Sequence, residues 1–318
     1  MKKFFSVLLL VLFATFSFAC SDNPITASSK ADDYYNKGLE AGKKDNLEEA
    51  IKLYTKAIEI DPKMSDAYVN RANAYLDLQK YNLALADYNK ALELQPDNGD
   101  NYYNRANLYA DIQKYDLALA DYDKAIQLNA KDSAAYYNRG IVYQKLKNFD
   151  KAINDYTSAI KIRPKYYNAY INRGNVNMEM SNYELALEDY NVAETIDNTD
   201  ADIYYNRGNL YADLHKEQLA LEDYNKAIKL DPGGTDIYYN RGLLYMDMNR
   251  WQDALDDFNF VIELDEEPDY AYYHKGVICE NLNLKKEALN AYLKFIQEVD
   301  DADQVDIDYA QSRIAELS

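Results

Sequence analysis

Asparagine side chains recur every 34 residues along this chain of 318 residues, and most of them follow a tyrosine. A carboxamide offers both a donor and an acceptor, so a row of them can hold a peptide backbone without requiring a particular sequence. The tyrosines add rigid contact area with a polar tip. The asparagines are Asn36, Asn70, Asn104, Asn138, Asn172, Asn206 and Asn240, and the tyrosines are Tyr35, Tyr103, Tyr137, Tyr205, Tyr239 and Tyr273. Together they predict a peptide-binding surface; the alternative is that the asparagines only brace neighbouring helices.

Two acidic rows share the same spacing. One row precedes the asparagines by four residues and the other follows them by seven: Asp66, Asp100, Asp202 and Asp236, then Asp77, Asp111, Asp213 and Asp247. Lys145 stands at the equivalent place between the two halves of the second row and interrupts it. We expect these rows to attract lysine or arginine of a ligand, which raises the association rate and the selectivity more than the affinity.

The overall charge excludes some classes of partner. The chain has 35 lysines and arginines against 54 aspartates and glutamates, which gives a formal charge of −19. Such a surface repels phosphate backbones, so we expect no nucleic-acid binding. It also disfavours docking of the protein surface on anionic lipid.

Catalytic and metal-binding patterns are absent from the sequence. The segment "DPGG" at residues 231–234 lacks the lysine and the hydroxyl residue of a phosphate-binding loop. His215 and His274 have no neighbouring cysteine that would complete a zinc site. The acidic run at residues 300–308 lacks the glycine and the closing glutamate of a calcium loop. We therefore expect no enzyme activity, no cofactor and no metal.

The elements that must position these side chains follow from the repeat. With Ala31 as position 1, eight units of 34 residues run to Ala302 without insertion or deletion. Position 4 is always tyrosine, position 8 is always glycine or alanine, and position 20 is always alanine. Positions 4, 8 and 11 share one helical face, as do positions 20, 24 and 27. Each unit is thus predicted to be two closely packed helices, here called helix A and helix B.

Arginine at position 7 and aspartate at position 23 occur together. Both are present in the second to seventh units, whereas the first has Lys37 with Leu53 and the last has Lys275 with Ala291. Arginine suits a partly buried bidentate pair better than lysine does. We therefore predict six ion pairs between helices A and B: Arg71–Asp87, Arg105–Asp121, Arg139–Asp155, Arg173–Asp189, Arg207–Asp223 and Arg241–Asp257.

The period and the pattern of small and aromatic residues resemble the tetratricopeptide repeat family. The resemblance implies an all-α fold, a right-handed α-solenoid of eight helix-turn-helix repeats with a C-terminal capping helix at residues 303–318. It also implies that positions 2, 5, 6, 9, 12 and 13 of helix A line a concave groove. The arginine at position 7 departs from the family, which usually has an aliphatic residue there. The repeats are residues 31–64, 65–98, 99–132, 133–166, 167–200, 201–234, 235–268 and 269–302.

The capping helix and the fifth repeat carry two further predictions. Val305, Tyr309, Ile314 and Leu317 can form one apolar stripe on the last helix. In the fifth repeat, polar side chains stand at core positions, and these cost free energy unless they are paired. We predict that residues 167–200 open first in hydrogen exchange, unless neighbouring residues accommodate the changes; the polar residues are Asn177, Glu194 and Asn198.

The first 19 residues are typical of a secretory signal: two lysines, an apolar run and small residues before a cysteine. Cleavage before Cys20 would leave a cysteine that resembles the lipidated terminus of bacterial lipoproteins, although Ser17 stands where these usually have an aliphatic residue. Plain secretion and a retained anchor are the alternatives. Residues 20–30 are polar and unperiodic and predict a flexible tether. Cys279 is predicted to be a small buried apolar residue.

The resemblance implies a protein–protein interaction scaffold of the bacterial cell envelope, attached to a membrane only through its N-terminal lipid. Its expected partner is a basic, extended protein segment, and the sequence does not predict an oligomeric state. The alternative function is binding of a cell-wall glycan through the tyrosine, asparagine and aspartate side chains. Salt distinguishes the two, because binding of a basic protein weakens with ionic strength and binding of a neutral glycan does not.

Overall fold

The computed structural model describes residues 24–265, 268–299 and 304–318. Within these ranges every regular element is an α-helix, and within each of the two compact units described below each helix packs against the next one along the chain. The predicted all-α solenoid class is therefore confirmed. The predicted signal segment and Cys20 lie outside the described residues. None of the helices in the described ranges is both long enough and apolar enough to span a membrane.

The helices form two compact units that divide at residues 130 and 131. The first unit contains the helix pairs of repeats one to three, and the second contains those of repeats four to eight followed by the last helix. The helices of the first unit are α1 Pro24–Lys43, α2 Leu47–Ile60, α3 Ser65–Asp77, α4 Tyr81–Leu94, α5 Gly99–Asp111 and α6 Tyr115–Leu128. Those of the second unit are α7 Ser133–Lys145, α8 Phe149–Ile162, α9 Tyr167–Glu179, α10 Tyr183–Ile196, α11 Ala201–Asp213, α12 Glu217–Leu230, α13 Thr235–Asp247, α14 Trp251–Leu264, α15 Asp269–Asn281, α16 Lys285–Glu298 and α17 Gln304–Leu317.

Each helix pair turns through one residue in the left-handed backbone region. Position 15 has a φ between 51° and 60° in all eight repeats, and none of these residues is glycine. In the second repeat the amide of Gln79 donates to the carbonyl of Leu76, and that of Lys80 donates to the carbonyl of Tyr75. This pattern is the Schellman ending of a helix, which satisfies the last carbonyls of helix A and reverses the chain.

The core of each pair forms where a small residue meets an aromatic ring. The alanine at position 20 is fully buried in every repeat, from Ala50 to Ala288. The ring at position 24 lies against position 8, so a Cβ atom added to Gly140 would approach Tyr156 to 2.8 Å. Close helix approach and a large buried ring therefore occur together, and the two apolar faces predicted from the sequence meet in this core.

Two terminal segments differ from the sequence predictions. Residues 24–30, assigned to the tether, are the first turns of α1. Pro24 suits the first position of a helix, and neither glycine nor another proline follows it before Gly38. On α17 the fully buried residue is Ala310, whereas Val305 of the predicted stripe is 69% exposed. The two lie roughly 140° apart around the helix. Ile314 and Leu317 of the predicted stripe pack against the core near Ala310, and the ring of Tyr309 lies 6.2 Å from that of buried Tyr292.

Candidate functional site

The six predicted ion pairs between helices A and B are confirmed. Arg105 donates from Nε and Nη2 to the two carboxylate oxygens of Asp121, at 2.7 and 2.8 Å. The shortest N–O distance in each of the other five pairs is 2.6 or 2.7 Å. The aspartates are buried, with exposures between 4% and 7%, so the pair geometry is bidentate and largely screened from water.

The same arginines also connect consecutive repeats. The Nη1 atom that is not bound to the aspartate donates to position 25 of the preceding repeat: Arg71 to Thr55 at 2.9 Å and Arg105 to Asn89 at 2.6 Å. In the second unit Arg173 bonds Thr157 and Arg207 bonds Asn191 in the same way. This bond was not predicted from the sequence. Through it, the arginine at position 7 connects its own repeat to the preceding one.

Tyrosines at positions 4 and 11 flank four of the six guanidiniums. The guanidinium carbon of Arg105 lies 5.8 Å from the ring centroid of Tyr102 and 5.7 Å from that of Tyr109. Arg241 has the same arrangement between Tyr238 and Tyr245. Both arrangements are within the range of a cation–π interaction. One side of helix A therefore contacts helix B and the preceding repeat, and its remaining side is the candidate site.

We define the helix-A face as positions 2, 5, 6, 9, 12 and 13 of helix A in each 34-residue repeat. Five of its seven asparagines at position 6 fall into two kinds. Asn70 donates to the hydroxyl of Tyr35 in the preceding repeat at 3.0 Å, and Asn172 donates to Tyr137 at 2.9 Å. Asn240 likewise donates to Tyr205 at 3.0 Å. These three amides therefore brace consecutive repeats, as the alternative interpretation of the asparagine row expected.

Asn104 and Asn206 are of the second kind. The preceding repeat has Val69 or Ile171 at position 5, and neither side chain can accept a hydrogen bond. Within the described part of the chain, neither carboxamide forms a hydrogen bond, and both residues are half-buried on the face. These two amides keep their donors and acceptors available. Asn36 of the first repeat is exposed.

A second asparagine row, at position 9, was missed by the sequence analysis. Tyr190 donates its hydroxyl hydrogen to Asn175 at 2.7 Å, and Tyr224 donates to Asn209 at 2.7 Å. The seventh repeat has Phe258 at position 24 and Leu243 at position 9, so the hydroxyl and its acceptor are missing together. The sequence alone does not reveal the pairing, because the first, fourth and eighth repeats keep tyrosine at position 24 and have an aliphatic residue at position 9.

The predicted acidic rows lie at the surface of both units. The eight aspartates of the two predicted rows are all exposed, including the predicted site residues Asp66, Asp100, Asp111, Asp213 and Asp247. Partial burial raises the pKa of Asp202, and the carboxylates of Asp200 and Asp231 raise it further. Burial also raises the pKa of Tyr205 on the same face, with a smaller contribution from Asp236. The electrostatic potential there is therefore negative.

The tyrosines at position 5 are half-buried rather than freely exposed. Tyr35 packs its ring 5.9 Å from that of Tyr54, and Tyr103 lies 6.1 Å from Tyr122. Tyr137 packs against Tyr156 at 5.8 Å, and Tyr239 packs against Phe258 at 5.4 Å. Only part of each ring therefore faces outward, and the position-5 hydroxyls serve mainly as acceptors for the next repeat.

In the fifth repeat, the polar core residues have partners. Glu194 forms an ion pair with Arg207 of the next repeat at 2.6 Å and accepts from Tyr204 at 3.2 Å. Asn177 hydrogen-bonds Asp189. Arg207 thereby binds two carboxylates, Asp223 and Glu194. The low stability predicted for this repeat stays a prediction, and these interactions favour the alternative that neighbours accommodate the changes.

His274 replaces asparagine on the face in the last repeat. Its Nε2 lies 3.0 Å from the hydroxyl of Tyr239, and its ring stacks on Phe258 at 5.1 Å. Burial lowers the pKa of His274 to about 4, against an opposing effect of Asp306. No group of three or more histidine, cysteine or acidic side chains in the described ranges is arranged to hold a metal ion. Cys279 is buried, as predicted.

Models of the tetratricopeptide repeat match nearly the whole repeat region. One model matches residues 31–64, 65–98, 133–166, 201–233 and 235–268. Further tetratricopeptide repeat models match residues 87–120, 106–147, 174–214, 218–249 and 269–297. The chain belongs to the tetratricopeptide repeat family. Membership in this family supports a scaffold that binds other proteins or peptides.

Solved structures of similar fold include two bacterial examples. A tetratricopeptide repeat protein from Parabacteroides merdae is 23% identical, with 80% of this chain and 98% of that chain covered and a TM-score of 0.61. PilF of Pseudomonas aeruginosa is 20% identical, with 70% and 98% covered and a TM-score of 0.60. An uncharacterized protein of Methanocaldococcus jannaschii is 44% identical over 55 residues, which are 17% of this chain and 64% of that protein. At these identities the two structures show the fold alone.

Proposed function

We propose that this tetratricopeptide repeat protein is a non-enzymatic scaffold that binds an extended, basic protein segment on its helix-A face. The observation that carries the proposal is the pair of exposed aspartate rows at positions 2 and 13. From Asn168 to Asp247 no lysine or arginine occupies a face position of the second unit. An acidic face of this kind attracts a basic ligand and repels an acidic one.

The free amides of Asn104 and Asn206 supply hydrogen bonds that do not depend on the ligand's sequence. Each carboxamide can donate to a peptide carbonyl and accept from a peptide N–H. An extended segment has unpaired backbone groups of both kinds. We infer that each of these two asparagines holds backbone groups of a ligand on the face of its own compact unit, while the braced asparagines, such as Asn70 and Asn240, hold the repeats in register.

We also propose that the chain is exported and attached to a membrane of the bacterial cell envelope through a lipid on Cys20. This proposal rests on the sequence of residues 1–20. Labelling with a palmitate analogue tests it. Mature protein should incorporate the label, and Cys20→Ala should lose it; label that survives the substitution overturns the lipid anchor.

Peptide binding tests the scaffold proposal. We would measure the affinity of the protein for unstructured peptides of equal length that are basic, neutral or acidic, and for a neutral N-acetylglucosamine oligosaccharide. The basic peptide should bind most tightly and should weaken between about 50 mM and about 300 mM salt, since exposed charges are screened within a Debye length. Salt-independent binding of the oligosaccharide alone would instead support the glycan alternative.

Two sets of variants localise the binding. Asn104→Ala combined with Asn206→Ala should weaken the basic peptide about threefold to tenfold for each amide hydrogen bond removed. Asn154→Ala is the matched control, because Asn154 is exposed on helix B of the fourth repeat. Equal affinity of the double variant and the control would show that the free amides do not touch the ligand.

A further inference from the structure

A cavity of about 380 Å³ opens on the helix-A face between the sixth and seventh repeats. Its apolar wall includes Met178, Ala212 and Leu243. Three carboxylates also line it, those of Asp213, Glu217 and Asp247, and none of the lining residues is lysine or arginine. The cavity therefore combines an apolar surface with a negative charge that none of its own lining residues neutralises.

The side chain at position 12 is small where the cavity opens. The sixth repeat has Ala212 at that position and the third repeat has Ala110, whereas other repeats have Leu76, Gln144, Met178 or Met246. The first repeat has Gly42, and the equivalent place between the first and second repeats holds a cavity of about 330 Å³. Both cavities thus occur where position 12 is small.

The two cavities differ in charge. The cavity of the first and second repeats is lined by Lys43 and Asp77, which offset one another, and by Leu47 at the position of Glu217. The cavity of the sixth and seventh repeats carries acidic groups at all three of these positions. The first cavity consequently serves as an internal comparison, with similar size and no net negative charge from these residues.

We propose that the cavity of the sixth and seventh repeats is a subsite for one lysine or arginine side chain of the bound segment. The long aliphatic part of such a side chain packs along Ala212 and Leu243, and its cationic end reaches the carboxylates. Neither an acidic side chain nor a purely apolar one satisfies both parts of the lining. This subsite rests on the proposed function, since it gives the position on the helix-A face that selects a basic residue.

The two histidines of the chain allow a direct test by NMR. His215 lines the cavity, whereas His274 lies in the last repeat against Phe258. We would add neutral, unstructured peptides that carry one central arginine, norleucine or glutamate to the full-length protein. The arginine peptide should shift the imidazole signals of His215 and leave those of His274 in place. Its affinity should exceed that of the glutamate peptide about tenfold, given three carboxylates at the surface.

Filling the cavity should abolish this selectivity. Ala212→Leu introduces the residue that the second repeat has at this position, so the helix pair tolerates it. We expect the His215 response to disappear and the arginine peptide to bind no better than norleucine. Gly42→Leu fills the other cavity and should leave the arginine preference unchanged. Asp213→Asn with Asp247→Asn keeps the volume and should remove the preference by loss of charge, which covers the case in which Ala212→Leu fails to fold.

The outcomes separate the subsite from the proposed function. If His215 does not respond, or if arginine, norleucine and glutamate peptides bind equally, the subsite is refuted. Retained binding of a strongly basic peptide with normal salt dependence would then leave the scaffold proposal standing. Loss of all basic-peptide binding in the unmodified protein would refute both.

Discussion

The pair Arg105–Asp121 provides a stringent prediction about what holds a repeat together. Asp121 is 7% exposed and accepts two hydrogen bonds from Arg105, which also donates to Asn89 of the preceding repeat. Arg105→Met leaves a buried carboxylate without a partner. Breaking a buried pair in this way costs about 3–5 kcal/mol of unfolding free energy. Because the arginine is partly exposed, we expect a cost near the lower end of that range.

The chain itself suggests the compensating variant. Its first repeat has Lys37 and Leu53 where the third has Arg105 and Asp121. The double variant Arg105→Lys and Asp121→Leu removes the buried carboxylate and keeps a cation that can extend to water. Replacing a buried pair with apolar groups is often nearly neutral, so we expect the double variant to lie within about 1 kcal/mol of the unmodified protein.

Hydrogen exchange of the amides in α5 and α6 is the appropriate assay, since repeat arrays need not unfold as one unit. A cycle of Arg105→Lys, Asp121→Leu and the double variant should give a coupling free energy of at least about 2 kcal/mol between the two sites. A double variant that loses as much stability as the two single variants together would show additive effects and would refute the reasoning.

Three other predictions concern stability. Asn70→Ala should lower the unfolding free energy of its repeat by about 1 kcal/mol, because the hydrogen bond to the preceding repeat is lost. Asn104→Ala should leave the unfolding free energy of its own repeat unchanged. Hydrogen exchange measures both, and equal effects would contradict the division of the asparagines. Burial lowers the pKa of His274 to about 4, so the unfolded state binds the imidazole proton more tightly than the folded state does. The contribution of His274 to the free energy of unfolding should therefore be largest above about pH 6.5 and should fall by up to about 3 kcal/mol as the pH is lowered to about 4. His274→Asn should remove that part of the pH dependence in urea unfolding, and an unchanged pH profile would refute the assignment. Gln113→Gly should raise Tm because Gln113 has a φ of 58°; Asn249→Gly should raise it less, and the reverse order would contradict this account.

The helix pairs and the ion pairs could be predicted from the sequence because each depends on a pattern repeated along it. The period fixes which residues share a helical face. Comparison of the repeats connects Arg105 with Asp121, since the first and last repeats lack both members of the pair. Neither inference needs knowledge of the distance between repeats.

The division of the asparagine row could not be predicted as readily, because it depends on the residue at position 5 of the preceding repeat. The hydroxyl of Tyr35 accepts a hydrogen bond from the amide of Asn70, whereas Val69 cannot accept one and leaves the amide of Asn104 free. The cavity beside Ala212 depends in the same way on how three helices meet, which no single repeat reveals. The prediction that Val305 packs against the core was wrong, because α17 approaches the preceding helices most closely at Ala310. A short apolar stripe in the sequence does not determine which residue makes that approach.

The central claim is that the helix-A face, rather than helix B, touches the partner. Photo-crosslinking in intact cells tests it most directly. A photoreactive amino acid would replace Asp100 or Asp202 on the helix-A face, and Leu117 or Leu219 on helix B; all four positions are exposed. We predict a discrete crosslinked protein from the two face positions that is lost when Asn104→Ala and Asn206→Ala are added, and none from the helix-B positions. Crosslinks from Leu117 and Leu219, with none from Asp100 and Asp202, would contradict the account.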